Sequence, residues 1–448
     1  MSVFSAGYTA ELDGFLERIM ADCRCGLACG LGGPSPRWSV AVPEKFSVFA
    51  DGKTRLRAER IPYFADAALA AALHRLELLH MAGRGGPAAT ALEKFTVRHA
   101  FYRNTVVAAL SCGDISRADA LRRWLYADCF DKRLVCLVTH SCQLRCRYCR
   151  VGKYPAQMSA RVLKRAIEFL FTSQSPAVQL QFFGGEPLLR FEMVRRGTHL
   201  ARRLAKNTGK KLELILTTNG LLLDGKKAEF LKKNAFTVEI SCDGTMSSQM
   251  SGRYAADGPA AYARLLDGLE TARRLGLDYY VIMVVRPERV EHMIDDYKYL
   301  AGLGHMKIQL NYALGVEWEQ GQMLAFLRQL ELLRRCQPGG AQCVNLLSIR
   351  REPVVLNSEL TVDCDGFLLR ETGTCLEDDF ARVRERFGAG DIFTPGADMT
   401  SLAFSRFDNF RLLAKAYGEE QPRLRRIILS NLKMGRLLEK WSAKHRSC

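Results

Sequence analysis

The run Leu134-Val135-Cys136-Leu137-Val138-Thr139-His140-Ser141-Cys142-Gln143-Leu144-Arg145-Cys146-Arg147-Tyr148-Cys149 passes from an apolar, strand-like segment straight into a polar loop with three thiols. Three residues and then two separate those thiols. A loop of that length can wrap one face of an iron-sulfur cube, forming three Fe–S bonds and leaving the fourth iron without a protein ligand. Zinc is the competing reading, but a structural zinc site closes four ligands, commonly in close pairs. His140, two residues before Cys142, is the nearby fourth candidate and makes no second close pair.

Working outward from this loop, short β-rich runs alternate with amphipathic helices. The runs are Leu134 to Thr139, Val178 to Phe183, Leu212 to Thr217, Thr237 to Ser241, Tyr279 to Val285 and Lys307 to Tyr312. Between them, apolar residues recur at helical spacing, as at Val162, Leu163, Ala166, Ile167 and Leu170, or Tyr262, Leu265, Leu266 and Leu269. Strict alternation of strand and helix predicts an α/β fold with a parallel sheet and right-handed crossovers. Six units fall short of a closed eight-fold barrel, so the expectation is a partial (βα)6 TIM-like barrel with its chemistry at the carboxyl ends of the strands.

The remaining motifs stand at those ends. Phe183-Gly184-Gly185-Glu186-Pro187 follows the second strand. Two glycines let backbone approach a ligand closely, and the carboxylate can accept hydrogen bonds from a ligand ammonium. Taken alone, the motif is also a turn into a helix that starts near Pro187. The third strand ends in Thr217-Thr218-Asn219-Gly220, and the fourth in Ser241-Cys242-Asp243-Gly244 with Arg253 downstream. Such groups suit ribose hydroxyls and a carboxylate, although each one singly also reads as a capping turn.

In this order, the three-thiol loop, GGEP, TTNG and SxDG resemble the radical S-adenosylmethionine (SAM) superfamily over roughly residues 132 to 316. The closest likeness is to the branch of peptide and protein maturases that includes anaerobic sulfatase-maturating enzymes and SPASM-domain proteins. The resemblance implies that Cys142, Cys146 and Cys149 bind a 4Fe-4S cluster, and that Gly184, Gly185 and Glu186 hold the methionine amino group of SAM. It places Ser241 and Arg253 at the ribose and methionine carboxylate, and Leu314 at the adenine, with Asn219 and Asp243 as neighbours. Tyr148 would pack its ring against the adenine end. The implied reaction is reductive cleavage of SAM to a 5′-deoxyadenosyl radical, which abstracts hydrogen from a peptide or protein side chain. An electron donor such as flavodoxin or ferredoxin would supply the reductant.

The resemblance weakens toward the C-terminus. Members of that branch carry six or seven cysteines for auxiliary clusters, whereas this chain has Cys336, Cys343, Cys364, Cys375 and Cys448 after the barrel. The stretch Val362 to Glu371 looks like the start of such a domain, with Glu371 where a ligand cysteine is expected. The expectation is a degenerate domain without an auxiliary cluster, although four of these cysteines would suffice for one. Chemistry that returns a hydrogen atom or rearranges the substrate radical then gains weight, with Cys375 as a candidate hydrogen donor of an epimerase.

Three regions are expected: a mostly helical 1–130, the partial-barrel core 131–316, and a small α+β region 317–448 that holds a short strand pair near Glu359 to Leu369 and ends in helices. The first holds a Gly- and Pro-rich stretch at Gly26 to Pro36, a hairpin around Asp51-Gly52, and a Cys23, Cys25, Cys29 set whose spacing fits no metal site with a physical rationale. Fifteen cysteines without a secretion-like start argue for ligands or packing groups instead of disulfides, and place the chain in the cytoplasm. No run reaches the roughly 18 apolar residues of a membrane span.

Lys and Arg number 65 against 48 Asp and Glu, a net charge of +17, which favours an acidic partner such as a peptide or nucleic acid. An RNA-modifying enzyme is therefore an alternative, opposed by the lack of a recognisable RNA-binding module. A redox-sensing iron-sulfur protein is another, opposed by strand-end polar groups that a mere cluster holder does not need.

Overall fold

The computed structural model describes residues 132–402 and 422–445, apart from 150, 153, 174, 337, 348–353, 358 and 371–379. The expected helical region 1–130 with Cys23, Cys25 and Cys29, and likewise Glu371, Cys375 and Cys448, lie outside the described residues. The described part falls in one compact unit formed by 130–409 and 421–448.

Strand β1 (Arg133–Leu137) leads into the thiol loop, where β2 (Leu144–Cys146) forms. Then come α1 (Ala160–Leu170), β3 (Ala177–Phe183), α2 (Phe191–Thr208), β4 (Lys211–Thr218), α3 (Gly225–Lys233) and β5 (Phe236–Ser241). A short α4 (Met246–Gly252) and β6 (Arg253–Ala255) precede α5 (Pro259–Arg274), β7 (Asp278–Val285), α6 (Met293–Gly302), β8 (Lys307–Tyr312) and α7 (Gln320–Cys336).

Helix starts follow local chemistry. The Ser159 hydroxyl accepts from Val162 N ahead of α1, Asp224 from Lys227 N ahead of α3, and Thr245 from Ser248 N ahead of α4. Helix α2 ends where Gly209 turns left-handed at φ 69°.

The six expected strands, β1, β3, β4, β5, β7 and β8, pair in parallel in that order. The sheet runs further than the sequence reading anticipated. β9 (Gln342–Cys343) joins β8 in parallel, and β10 (Leu360–Val362) joins the free side of β1 in parallel, followed by antiparallel β11 (Phe367–Arg370) and β12 (Gly388–Asp391). The strand pair expected near Glu359 to Leu369 is present as β10 and β11, whereas β9, of two residues, is too short to show a period of two, and Gly388-Ala389-Gly390-Asp391 of β12 carries no apolar alternation. Helix α8 (Val344–Leu347) follows β9, α9 (Phe380–Phe387) precedes β12, and α10 (Met399–Leu402) and α11 (Pro422–His445) complete the described chain.

Alternation along the strands sorts the side chains. Val178, Leu180 and Phe182 of β3, Leu214 and Leu216 of β4, Val238 and Ile240 of β5, and Val281 and Met283 of β7 belong to one buried core with the apolar faces of the helices. Burying each such side chain contributes about 1.5–3 kcal/mol. Of the intervening positions, Gln181, Glu239 and Ile282 line the cavity described next. No helix among the described residues is long and apolar enough to cross a membrane.

Candidate active site

The thiol loop is held in shape by its own backbone and by three neighbouring segments. Leu144 N donates to Cys142 Sγ at 3.4 Å, and Cys149 N to Cys146 O at 3.1 Å. Strand β2 pairs antiparallel with β6, setting Cys146 opposite Arg253, and Arg147 N donates to Gly252 O at 2.9 Å. This small second sheet explains how Arg253, distant in sequence, comes to stand beside the thiols.

On the other side, the GGEP segment docks on the root of the loop. Gly185 N donates to Thr139 O at 2.7 Å and Glu186 N to Ser141 O at 2.9 Å. A Cβ on Gly184, whose φ is +132°, would lie 2.3 Å from Thr139 O, and one on Gly185 would lie 2.2 Å from Ser141 O. The sequence reading assigned these glycines to a close ligand approach. In the structure the close approach is between two backbone segments, so the glycines are needed before any ligand arrives.

Glu186 is fully buried, and its carboxylate accepts from Leu188 N at 2.9 Å, Thr218 Oγ1 at 2.8 Å and Asn219 N at 2.8 Å. Asn219 in turn extends its amide toward Cys142 Sγ at 3.7 Å and Gln143 Oε1 at 3.2 Å. Asp243 is similarly enclosed: it accepts from Tyr148 Oη at 2.7 Å, Arg253 Nη2 at 3.1 Å and Val284 N at 3.0 Å. The Arg253 guanidinium also stacks over the Tyr148 ring, 5.3 Å from its centroid. Glu186 and Asp243 therefore brace the wall, while the residues they hold form its surface.

That surface encloses a cavity of about 380 Å³ lined by all three thiols, together with Tyr148, Gly184, Gly185, Asn219, Ser241, Arg253 and Leu314. Every sequence-predicted site residue other than Glu186 and Asp243 thus meets in one space. Burial raises the Cys146 thiol to about 11, with the nearby Arg253 charge opposing that rise.

The cavity continues down the strands past the predicted residues, along Gln181, Thr217, Glu239, Ile282, Gln309 and Asn311. Thr217 Oγ1 donates to Glu239 Oε2 at 2.6 Å, Gln181 Nε2 to the same oxygen at 3.3 Å, and Tyr280 Oη to Glu239 Oε1. Motif reasoning at strand ends missed these residues. The signal was present in Gln179-Leu180-Gln181, Val238-Glu239-Ile240 and Gln309-Leu310-Asn311, where polar residues alternate with apolar ones on strands whose other face is buried. Closed barrels of this type fill the equivalent layers with branched apolar side chains.

Comparison with known proteins matches residues 136–300 to the Radical SAM superfamily. Residues 136–300 form a radical SAM domain. The radical SAM match extends to the serine-type anaerobic sulfatase-maturating enzyme of Bacteroides thetaiotaomicron, 26% identical over 168 residues, 35% of this chain and 40% of that protein. The cysteine-type enzyme of Clostridium perfringens (strain 13 / Type A) is 27% identical over 169 residues, 35% of this chain and 45% of that protein. The chain thus spans less than half the length of these two relatives. The solved structure of native anSMEcpe with bound AdoMet superposes with a TM-score of 0.51 at 20% identity, covering 60% of this chain and 79% of that one, which places the two in the same fold.

Radical SAM cofactors are a 4Fe-4S cluster and SAM, and the residues present fit them. Arg253 Nε and Gln181 Oε1 are buried without a hydrogen-bond partner, and both residues line the cavity. Both atoms are free to bond a ligand or water that enters the cavity.

The group His140, Asp363 and Cys364 lies just behind the thiol loop. The ring nitrogens of His140 meet Gly152 O at 2.9 Å and Asp363 Oδ1 at 2.6 Å, and Asp363 Oδ2 accepts from Arg384 at 2.8 Å. Cys364 donates to Leu137 O at 3.1 Å, and burial pushes its thiol up to about 12. These side chains already have partners and tie the segment after β10 to the thiol loop. Cys336 is exposed and Cys343 buried.

Proposed function

We propose that this chain is a radical SAM enzyme that modifies a peptide or protein side chain. The observation that carries the reading is the convergence of Cys142, Cys146 and Cys149 with Gly184, Gly185, Ser241, Arg253 and Leu314 on one cavity. When bound, the cluster and SAM supply one-electron cleavage of the sulfonium C–S bond, giving methionine and a 5′-deoxyadenosyl radical that takes a hydrogen atom from the substrate.

In this reading the three thiolates hold the cluster, and Leu144 N and the Asn219 amide offset charge on the Cys142 sulfur. Arg253 presents its unpartnered Nε toward the carboxylate of SAM, with Asp243 and the Tyr148 ring fixing the guanidinium plane. Glu186 keeps the glycine segment and Asn219 in register. Ser241 and Leu314, which line the same cavity, would contact the ribose and the adenine. A peptide substrate is supported by the sulfatase-maturating relatives and by a fold neighbour solved with bound AdoMet and Cp18Cys peptide. A flavodoxin or ferredoxin is the proposed electron donor.

The test is anaerobic reconstitution followed by dithionite and SAM, with 5′-deoxyadenosine as the readout. Wild type is expected to form it, and the Cys142, Cys146 and Cys149→Ala variants are not. An iron-loaded chain that forms none would move the assignment to the redox-sensor reading.

A further inference from the structure

We infer that Glu239, deep in the cavity, is the recognition point for a positively charged nitrogen group on the substrate, an ammonium or guanidinium. The inference rests on the proposed function only in taking this cavity as the place where substrate enters.

The side chain projects from the middle of β5, two residues before Ser241, so it lies one layer below the strand-end motifs. Glu239 is 8% exposed, and the surface it keeps belongs to the cavity wall. Three donors converge on it, from Thr217, Gln181 and Tyr280, and all three are neutral. No Lys, Arg or His among the described residues pairs with it. The two arginines that line the same cavity already face carboxylates: Arg133 donates to Glu359 at 2.6 Å, and Arg253 to Asp243 at 3.1 Å.

Charges removed from water are ordinarily paired or neutralised. Here hydrogen bonds orient the carboxylate while its charge is left to be balanced from the cavity. Around it, Gln181, Gln309, Asn311 and Asn345 provide amide groups of both polarities, and Ile282, Leu310 and Phe326 provide apolar surface. A flexible alkyl chain ending in a cation suits that combination, with the stem along the apolar wall and the head at Glu239. The unpartnered Gln181 Oε1 adds an acceptor for a further N–H of the same head group.

The measurement is ligand-observed NMR on the full chain without SAM, titrating N-acetyl-lysine N-methylamide, butylammonium and the neutral N-acetyl-norleucine N-methylamide. The wild type is expected to bind the lysine probe at least tenfold more tightly than the norleucine probe. Glu239→Gln, which keeps the shape and most of the hydrogen bonds, is expected to abolish that preference while leaving norleucine binding unchanged. Tyr280→Phe, which keeps the charge, is expected to retain it.

Equal binding of lysine and norleucine probes by the wild type would overturn the inference whether or not any variant folds. Loss of SAM affinity in Glu239→Gln, with the lysine preference intact, would also overturn it, because the carboxylate would then serve the cofactor. Butylammonium binding as tightly as the lysine probe points to a free amine, and weaker binding to a peptide-borne one. Formation of 5′-deoxyadenosine without substrate reads the proposed function separately from cation binding.

Discussion

Replacing Gly185 with Ala isolates the contact that positions the thiol loop. The new Cβ would start 2.2 Å from Ser141 O and 2.6 Å from His140 O, both backbone atoms, where real Cβ contacts stay beyond 3.0 Å. Relief requires about 0.8 Å of separation between two main-chain segments, and no side chain is available to rotate away. Glu186 N to Ser141 O is 2.9 Å and Gly185 N to Thr139 O is 2.7 Å, so that movement stretches both bonds to or past the limit of hydrogen bonding. Two backbone bonds at about 0.5–1.5 kcal/mol each, plus overpacking of about 1–3 kcal/mol, give an expected loss of roughly 2–6 kcal/mol. Because Gly185 does not have a positive φ, no backbone strain confounds the result.

Urea unfolding of the cluster-free chain measures the loss, and iron content after anaerobic reconstitution measures the consequence for the loop. Gly225→Ala is the control, since a Cβ there meets nothing within 4 Å, and it should change stability by less than about 1 kcal/mol. A Gly185→Ala chain that unfolds like wild type and loads a full complement of iron would refute the claim that this contact sets the loop.

Asp243→Asn should destabilise the cluster-free chain by about 3 kcal/mol, because it leaves the buried Arg253 guanidinium without its counter-charge; urea unfolding within 1 kcal/mol of wild type would contradict this. His140→Ala removes the contacts to Gly152 and Asp363 and the stacking on Tyr154, and should cost about 2–4 kcal/mol on the same assay. His305, next to the Tyr279 hydroxyl, has its pKa lowered to about 4, chiefly by burial, with Arg273 adding to the effect. Its unfolded value is near 6.5, so the folded state binds the proton more weakly, and stability present above pH 6.5 is lost as pH falls toward 4. The loss from this group should reach about 2 kcal/mol by pH 5. His305→Asn should flatten that part of the pH profile, and an unchanged slope would remove His305 as its origin.

The six-strand core was legible because each parallel strand is followed by a helix long enough to show its period, from Val162 and Leu163 in α1 to Met293 and Tyr297 in α6. The site was legible because its motifs stand at the carboxyl ends of those strands. Less of the detail could be read. Glycine spacing cannot say whether Gly185 yields room to a ligand or to the Ser141 carbonyl, since both need a missing side chain. Nor does a carboxylate in a motif reveal how many backbone amides have already claimed it, as with Glu186. The partnership of Cys146 with Arg253 depends on a three-residue strand pair that carries no periodic signal.

The short C-terminal strands close one side of the sheet beside the thiol loop. A parallel sheet that began at β1 would expose a row of unpaired backbone groups beside the thiol loop, an edge that folded proteins cover. Strand β10 pairs along Leu134 to Cys136 and removes that edge. The same segment delivers Glu359 to Arg133 at one end of β1 and Asp363 to His140 just past the other. One end of that clamp sits in the cavity wall and the other two residues from Cys142, so the strand that closes the sheet also fixes the loop from behind. Such a role needs apolar strand residues and two carboxylates but no thiol.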